Sequence, residues 1–302
     1  TILAWFYLQT PALKKFSKEA FSAALFFSNI SYGFEGSYFS QPFGKWFLHT
    51  WTLGLEMQFY LLYPVFLALI WRVFSSEITR IFAVLTLFIG SFILCLIVAS
   101  WKPTIAFYLL PTRAWEFVGG GVVFFASRYF IPTKSVSRWL NLSGFLMFFA
   151  ALFLIDSGAA WPSVWALFPV TSAMLIIFAA QQDSKLTNNA ICQWLGNISY
   201  SVDLWHWPIV VLLHYFELQT SGLAIFIGVF ASLAFGHLSY ALIENPLRNK
   251  LVGVTRTKQI FALMIPVFCV AFVFTYAKSN VFEGRINPVV DKLASASENY
   301  RQ

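Results

Sequence analysis

Apolar runs as long as a bilayer is thick recur through this chain, and they limit its fold more than any other feature. They fall at 49–71, 81–100, 112–127, 139–155, 163–180, 192–215, 222–243 and 260–277. Each is near the ~20 residues a transmembrane helix requires. The period-2 alternation of a membrane β-barrel is absent. Charged residues make up 11% of the chain, against about 25% in a soluble domain. The expectation is all-α: a polytopic transmembrane helix bundle of about eight full spans plus a partial one. Residues 1–9 read as the tail of that earlier, partial span. Residues 19–31 are apolar but short, which predicts a re-entrant or interfacial segment. The chain opens inside a hydrophobic run, T-I-L-A-W-F-Y-L, with no initiator Met. It reads as an N-terminally truncated piece of a longer protein.

The basic residues orient the stack. Arg72 and Arg80 follow the first run, Arg128, Lys134 and Arg138 the third, Lys185 the fifth, and Arg248, Lys250, Arg256 and Lys258 the seventh. The intervening loops are poor in them. The positive-inside rule puts the basic loops in the cytoplasm. His49, Glu56 and the tail after 278 then lie on the outer side, and so, against the rule, do Lys14, Lys15 and Lys18. The net charge of +7 is therefore a topology signal, not a sign of nucleic-acid binding. Cys95, Cys192 and Cys269 stand apart in apolar runs, with neither a disulfide framework nor a zinc site in their spacing. Tryptophans near run ends, such as Trp46, Trp71 and Trp101, suit the interface.

Polar residues inside such runs are the functional candidates, since a charge at membrane depth costs roughly 3 kcal/mol or more on insertion scales. At 49–60, H-T-W-T-L-G-L-E-M-Q-F-Y, helical spacing sets His49, Thr52, Glu56 and Tyr60 on one stripe, expected to face inward. At 113–121, R-A-W-E-F-V-G-G-G, Arg113 and Glu116 are three apart and can neutralise each other. Gly119, Gly120 and Gly121 would let another helix approach. At 195–208, L-G-N-I-S-Y-S-V-D-L-W-H-W-P, Ser199, Asp203 and His206 share a face, with Tyr200 and Trp207 beside it. Their near-parallel vectors do not converge as a hydrolytic triad must, so a polar stripe facing a cavity is expected. At 237–248, H-L-S-Y-A-L-I-E-N-P-L-R, His237, Tyr240, Glu244 and Arg248 share a face, and Pro246 is expected to end the helix. Each set has a structural alternative: a paired Glu56, an Arg113–Glu116 ion pair without function, a satisfied core His206, a helix-end Glu244–Arg248 pair.

In this order the four sets resemble the acyltransferase-3 family of bacterial membrane O-acyltransferases. The family's T-W-S-L-x-x-E-x-Q-F-Y, R-x-W-E, S-Y-S-x-Y-L-x-H-x-P and I-E-x-P-x-R blocks stand here as T-W-T-L-G-L-E-M-Q-F-Y, R-A-W-E, S-Y-S-V-D-L-W-H-W-P and I-E-N-P-L-R. The likeness covers roughly residues 20–277. Thr52 replaces a usual Ser, Met57 a frequent Glu, and Asp203 the usual Tyr.

The resemblance implies transfer of an acyl group, usually acetyl, from cytoplasmic acyl-CoA to a hydroxyl of an envelope polysaccharide or lipid-linked sugar. It implies a multi-pass protein of the bacterial inner membrane, in contact with membrane lipid and with no bound cofactor. Glu56 and His49 would be catalytic. Arg113, Glu116, Tyr60, Tyr200, Asp203, His206, Glu244 and Arg248 would bind substrate, with Arg248 placed for CoA phosphates. Residues 1–277 would form the transmembrane domain, and 278–302 an extracytoplasmic linker leading in many members to an SGNH-type domain. The family's principal catalytic histidine, ten residues beyond a basic residue in the first span, has no counterpart here. The resemblance places it in the absent spans, which would leave this piece inactive by itself. A competing reading is a transporter or flippase for a lipid-linked sugar, which also carries buried charges. It is weakened by the lack of an internal repeat. A sensor or scaffold on the same fold is a third.

Overall fold

A computed structural model describes residues 10–35, 42–155, 161–184, 186–252 and 254, with isolated positions at 265, 268, 269 and 272. The partial span at 1–9, the run at 260–277 (those four positions apart) and the tail at 278–302 lie outside the described residues. Every described element is a helix. They are α1 (Thr10–Ala24), α2 (Ser28–Phe34), α3 (Thr50–Val73), α4 (Glu77–Trp101), α5 (Pro103–Tyr108), α6 (Leu110–Tyr129), α7 (Lys134–Leu154), α8 (Leu167–Ala179), α9 (Ala190–Tyr215), α10 (Gly222–Ser239), a π-helix (Tyr240–Glu244) and α11 (Asn245–Val252), with short 3-10 helices at Pro42–Gly44 and Val164–Ala166.

Helices thus stand at the apolar runs from 49 to 243. Among the described residues, four are long and apolar enough to cross a membrane: Thr50–Val73, Glu77–Trp101, Lys134–Leu154 and the continuous Gly222–Lys250. The count of eight is met only in part. Helix α6 carries Arg113, Glu116 and three glycines, α8 is short, and α9 carries Asp203 and His206, so none of these qualifies by length and composition. The segment at 19–31 is no span. Phe26 adopts a left-handed φ of 57°, a conformation unfavourable for a side chain of this size, and the turn it makes divides α1 from α2.

Local chemistry sets the helix ends. Pro103 and Pro111 lie in the first turns of α5 and α6, where a missing N–H costs nothing. Thr133 caps α7 by accepting from the Val136 N–H, and Ser221 caps α10 by accepting from the Ala224 N–H. Glu77 opens α4 and meets Arg128 at the end of α6 at 3.1 Å, each charge opposing its own helix dipole. Pro246 does not end its helix. The chain runs on as α11 because the Asn245 N–H bonds back to the Tyr240 carbonyl, five residues earlier. This wider π turn takes up the register change just ahead of the proline.

The described chain forms two compact units. One comprises the described parts of Thr1–Ser31, Phe39–Gly54 and Leu195–Gln302, the other those of Tyr32–Tyr38 and Leu55–Trp194. In the second unit α3, α4 and α6 pack through Val84, Val118 and Phe125, against Phe59, Tyr63 and Phe66. A neighbouring cluster holds Cys95, Trp115 and Ala166. Helices α7 and α8 close upon each other at Gly144, where a β-carbon would stand 2.6 Å from Ile176 Cγ1 and 3.1 Å from the Ser172 carbonyl. The Ser172 hydroxyl donates to the Gly144 carbonyl at 2.7 Å. In the first unit Gly228 and Gly236 play the same part for α9 and α10, against Leu213 and Val202.

Gly144→Val is expected to destabilise the purified protein by about 1–3 kcal/mol, the cost of overpacking. Gly90→Ala, in the same second unit but with nothing within 4 Å of its β-carbon position, is expected to stabilise it by up to about 1 kcal/mol. Thermal melts in detergent measure both.

Candidate active site

The candidate residues divide between the units. The first holds His49, Tyr200, Asp203, His206, Glu244 and Arg248, the second Glu56, Tyr60, Arg113 and Glu116.

In the first unit, the residues ahead of α3 are fixed from several sides. The Thr50 hydroxyl donates to the Phe47 carbonyl at 2.7 Å, and the Ser28 hydroxyl donates to the Thr50 carbonyl at 2.9 Å. The Glu19 carboxylate, buried on α1, accepts the Phe47 N–H at 3.4 Å. A β-carbon on Gly54 would stand 2.8 Å from Asn29 Oδ1, so glycine there permits the approach of α2. The Trp207 indole donates to the Lys45 carbonyl at 2.8 Å, and Phe43 stacks on His214 with ring centroids 4.3 Å apart. These contacts hold α9 against the segment that carries His49.

His49 is 9% exposed, and its Nδ1 has no hydrogen-bond partner among the described residues. Burial, and secondly the neighbouring His206, lower its imidazole to about 4. It lies just ahead of α3 and is a neutral base at physiological pH. Its ring meets that of His206 edge-on, centroids 6.0 Å apart. His206 Nδ1 donates to the Asp203 main-chain carbonyl at 2.7 Å, and the Asp203 carboxylate lies 3.8 Å from the same nitrogen. The structure thus joins His49, His206 and Asp203.

Other residues of this unit depart from expectation. Ser199 only turns back to the Gly196 carbonyl. Ser201, which the spacing argument passed over, reaches across to Glu244 and donates to its Oε2 at 2.8 Å. Glu244 therefore does not form the helix-end pair with Arg248, whose guanidinium meets Asn245 Oδ1 at 3.4 Å instead. The π turn redirects Glu244 toward α9. Tyr200 is 49% exposed.

In the second unit, Glu56 is half-buried on α3. Tyr60 is 62% exposed, so the stripe expected to face inward does not hold as far as 60. The packed face of α3 is instead the one bearing Phe59, Tyr63 and Phe66, about 100° around the helix from Tyr60. Arg113 Nη2 donates to Glu116 Oε2 at 2.6 Å. The guanidinium also reaches the Phe107 carbonyl at 3.4 Å and sits 5.3 Å above the Phe107 ring. Glu116 Oε1 has no hydrogen-bond partner among the described residues. Ser91 locks this turn of α6 in place, donating to the Pro111 carbonyl at 2.7 Å and accepting the Trp115 N–H at 3.0 Å. The ion pair borders a cleft of ≈ 320 Å³ between α6 and α8, lined also by Trp161, Val170 and Met174.

The three glycines are not equivalent. A β-carbon on Gly119 would stand 3.1 Å from Met174 Sδ, and one on Gly121 would collide with the Tyr63 hydroxyl, so both glycines permit close packing. Gly120, expected to do the same, has nothing within 4 Å of its β-carbon position and borders the cleft.

A family profile described as an acyltransferase domain matches residues 1–241. The chain belongs to the acyltransferase-3 family. It is 30% identical over 252 residues to a protein named as the membrane-bound transacylase BcsY of Komagataeibacter xylinus, covering 80% of this chain and 62% of that one. It is 25% identical over 250 residues to the O-acetyltransferase OatA of Staphylococcus aureus, covering 77% and 41% respectively. The peptidoglycan O-acetyltransferase OatA of Listeria monocytogenes is 26% identical over 259 residues, covering 78% and 41%. The chain thus spans less than two thirds of the length of these relatives. No solved structure matches.

Replacing Arg113 alone, as Arg113→Met, is expected to cost about 3–5 kcal/mol, because Glu116 loses its counter-charge in a largely buried place. Adding Glu116→Leu is expected to restore most of that stability. Melting of the two variants measures it, and acyl transfer by the stable double variant in the full-length protein separates a substrate-holding pair from a structural one.

Proposed function

We propose that this chain is the membrane part of an O-acyltransferase that moves an acyl group, acetyl in the simplest case, from cytoplasmic acyl-CoA to a hydroxyl of an envelope polysaccharide or lipid-linked sugar. The observation that carries the reading is the family match over residues 1–241, with relatives named for O-acetylation. The geometry adds to it a neutral, buried His49 beside His206, and a largely buried Arg113–Glu116 pair bordering a cleft. A charged pair such as Arg113–Glu116 at membrane depth marks a functional site by default.

In this reading the protein sits in the bacterial inner membrane, and α6, α8 and α9 cross it together with the four longest helices. A bundle with polar cavities lets the acyl group cross while the charged carrier stays in the cytoplasm. Glu56 and His49 orient or shuttle protons for a base in the upstream spans. Arg113 holds a polar group of donor or acceptor, neutralised by Glu116. Tyr60, Tyr200 and Glu244 line the substrate path, and Arg248 meets CoA phosphates. The residues after 278 lead outward to an SGNH-type domain that completes the transfer.

The test uses the full-length protein in membranes supplied with acetyl-labelled CoA. Label is expected in envelope polysaccharide with the wild type and to be lost in Glu56→Gln. Label in both variants removes Glu56 from the mechanism. Label in neither, with folded protein and acceptor present, overturns the acyltransferase reading.

A further inference from the structure

We propose that the cleft between α6 and α8 holds the lipid tail of the acceptor, a sugar carried on a single-chain lipid phosphate, with the phosphate at the Arg113–Glu116 end. The inference rests on the acyltransferase reading above and deepens it. It narrows the acceptor to a lipid-linked sugar, and it makes the polar group held by Arg113 part of that acceptor.

The cleft is polar at one end only. Arg113 and Glu116, 2.6 Å apart, stand at its head, and the rest of its wall is apolar. Helix α8 contributes Pro169, Val170, Ala173, Met174 and Ile177, spaced as one helical face. It runs in the same direction as α6: Ala166, just ahead of it, clusters with Trp115, and Met174 packs at Gly119. Ile177 is therefore farthest from the ion pair. Arg128 lies in the last turn of α6 and Lys134 opens α7, and the positive-inside rule sets that end in the cytoplasm. The ion pair then lies toward the outer side, and the apolar part of the cleft reaches inward from it. A lipid of the outer leaflet has the same polarity, head outward and chain inward.

The dimensions select the kind of lipid. From Pro169 to Ile177 the lining runs about 12 Å along α8. The cleft's ≈ 320 Å³ over that length gives a cross-section of about 27 Å², or about 5 Å a side. Carbon atoms in contact stand about 4 Å apart, so one hydrocarbon chain fits and two side by side do not. This favours a single-chain carrier over a two-chain phospholipid. An acetyl group, with one methyl, is far shorter than the cleft. At the head, arginine is suited to phosphate, which it holds bidentately, and Glu116 balances the guanidinium when no phosphate is there. A phosphate in this place leaves the sugar at the outer surface, where the domain that this reading sets after 278 completes the transfer.

Gly120 is the specificity-determining position. It borders the cleft, and nothing lies within 4 Å of its β-carbon position. A larger side chain there takes up cleft volume instead of displacing a neighbour, so the tail can be shut out without disturbing the packing of α6.

The experiment uses the full-length protein in vesicles of phosphatidylethanolamine and phosphatidylglycerol, with acetyl-CoA as donor. The acceptor is one sugar on either a long polyprenyl phosphate or a truncated one. A polyprenyl phosphate with a diazirine in its chain serves as a binding probe, and melting temperature controls for folding. Gly120→Leu is expected to raise KM for the long-tailed acceptor about tenfold, which is what about two methylenes kept out of the cleft would cost. KM for the truncated acceptor and for acetyl-CoA is expected to stay unchanged. Gly90→Leu, equally open at its β-carbon position and outside the cleft lining, is expected to keep wild-type values. The probe is expected to label α8 in the wild type and to label it less in Gly120→Leu. A folded Gly120→Leu with unchanged KM for the long-tailed acceptor overturns the proposal. An equal rise for both tail lengths gives the cleft to the sugar, and a rise for acetyl-CoA alone gives it to the donor; either result overturns it. Equal labelling of α8 by a diazirine phospholipid makes the cleft a general lipid site and overturns it as well. An active wild type with no label on α8 overturns it while leaving the acyltransferase reading intact. A folded, labelled wild type that transfers no acetyl group overturns the acyltransferase reading while upholding the lipid-phosphate site.

Discussion

Short hydroxyl side chains bonded to the carbonyls or carboxylates of neighbouring segments set the geometry of this molecule. At membrane depth no water satisfies a polar group, so each must find its partner within the protein. Ser172 reaches the Gly144 carbonyl, Ser91 the Pro111 carbonyl, Ser201 the Glu244 carboxylate and Ser28 the Thr50 carbonyl. A serine hydroxyl spans so short a gap only when two backbones come close, and close approach needs a residue without a β-carbon. Gly144 stands opposite Ser172 for that reason. These bonds are individually modest in lipid. Their effect is to fix each helix in rotation and height, and the side chains with chemistry inherit that fixed position.

Two polar centres result, one in each unit. The first is an imidazole pair with a carboxylate, in which one histidine is enclosed and the other open. The second is an ion pair with one carboxylate oxygen left without a partner, beside a small apolar cleft. Among the described residues both keep hydrogen-bonding capacity without a protein partner, at His49 Nδ1 and Glu116 Oε1.

Much of this was legible in the sequence. The apolar runs gave the long helices between Thr50 and Glu244, though not the short α5, because burial in lipid and burial in protein ask for the same residues. The Arg113–Glu116 pair followed from its spacing, since i and i+3 are neighbours on any helix. The same rule put Asp203 and His206 on one face, and the structure shows them in contact. Other features depend on which face a neighbour covers, and spacing along one helix does not contain that. Tyr60 is exposed because α3 packs through Phe59 and Tyr63. Ser201 rather than Ser199 meets Glu244 because α9 turns that face toward it. Gly120 looks like Gly119 in sequence and differs only in having no neighbour. The break at Phe26 had no signal, because neither glycine nor proline marks it.

The π turn at Tyr240–Glu244 behaves as a one-residue insertion stored inside a continuous rod. Drawing those residues into ordinary α geometry without shortening the chain would rotate everything beyond them by about 100° relative to α10. Arg248 and Lys250 would then point to a different side. The direction in which this basic end faces is thus a matter of how the extra residue is absorbed rather than of residue identity. A homologous chain with every charge in place but one residue fewer, and no π turn, would present them to the same side.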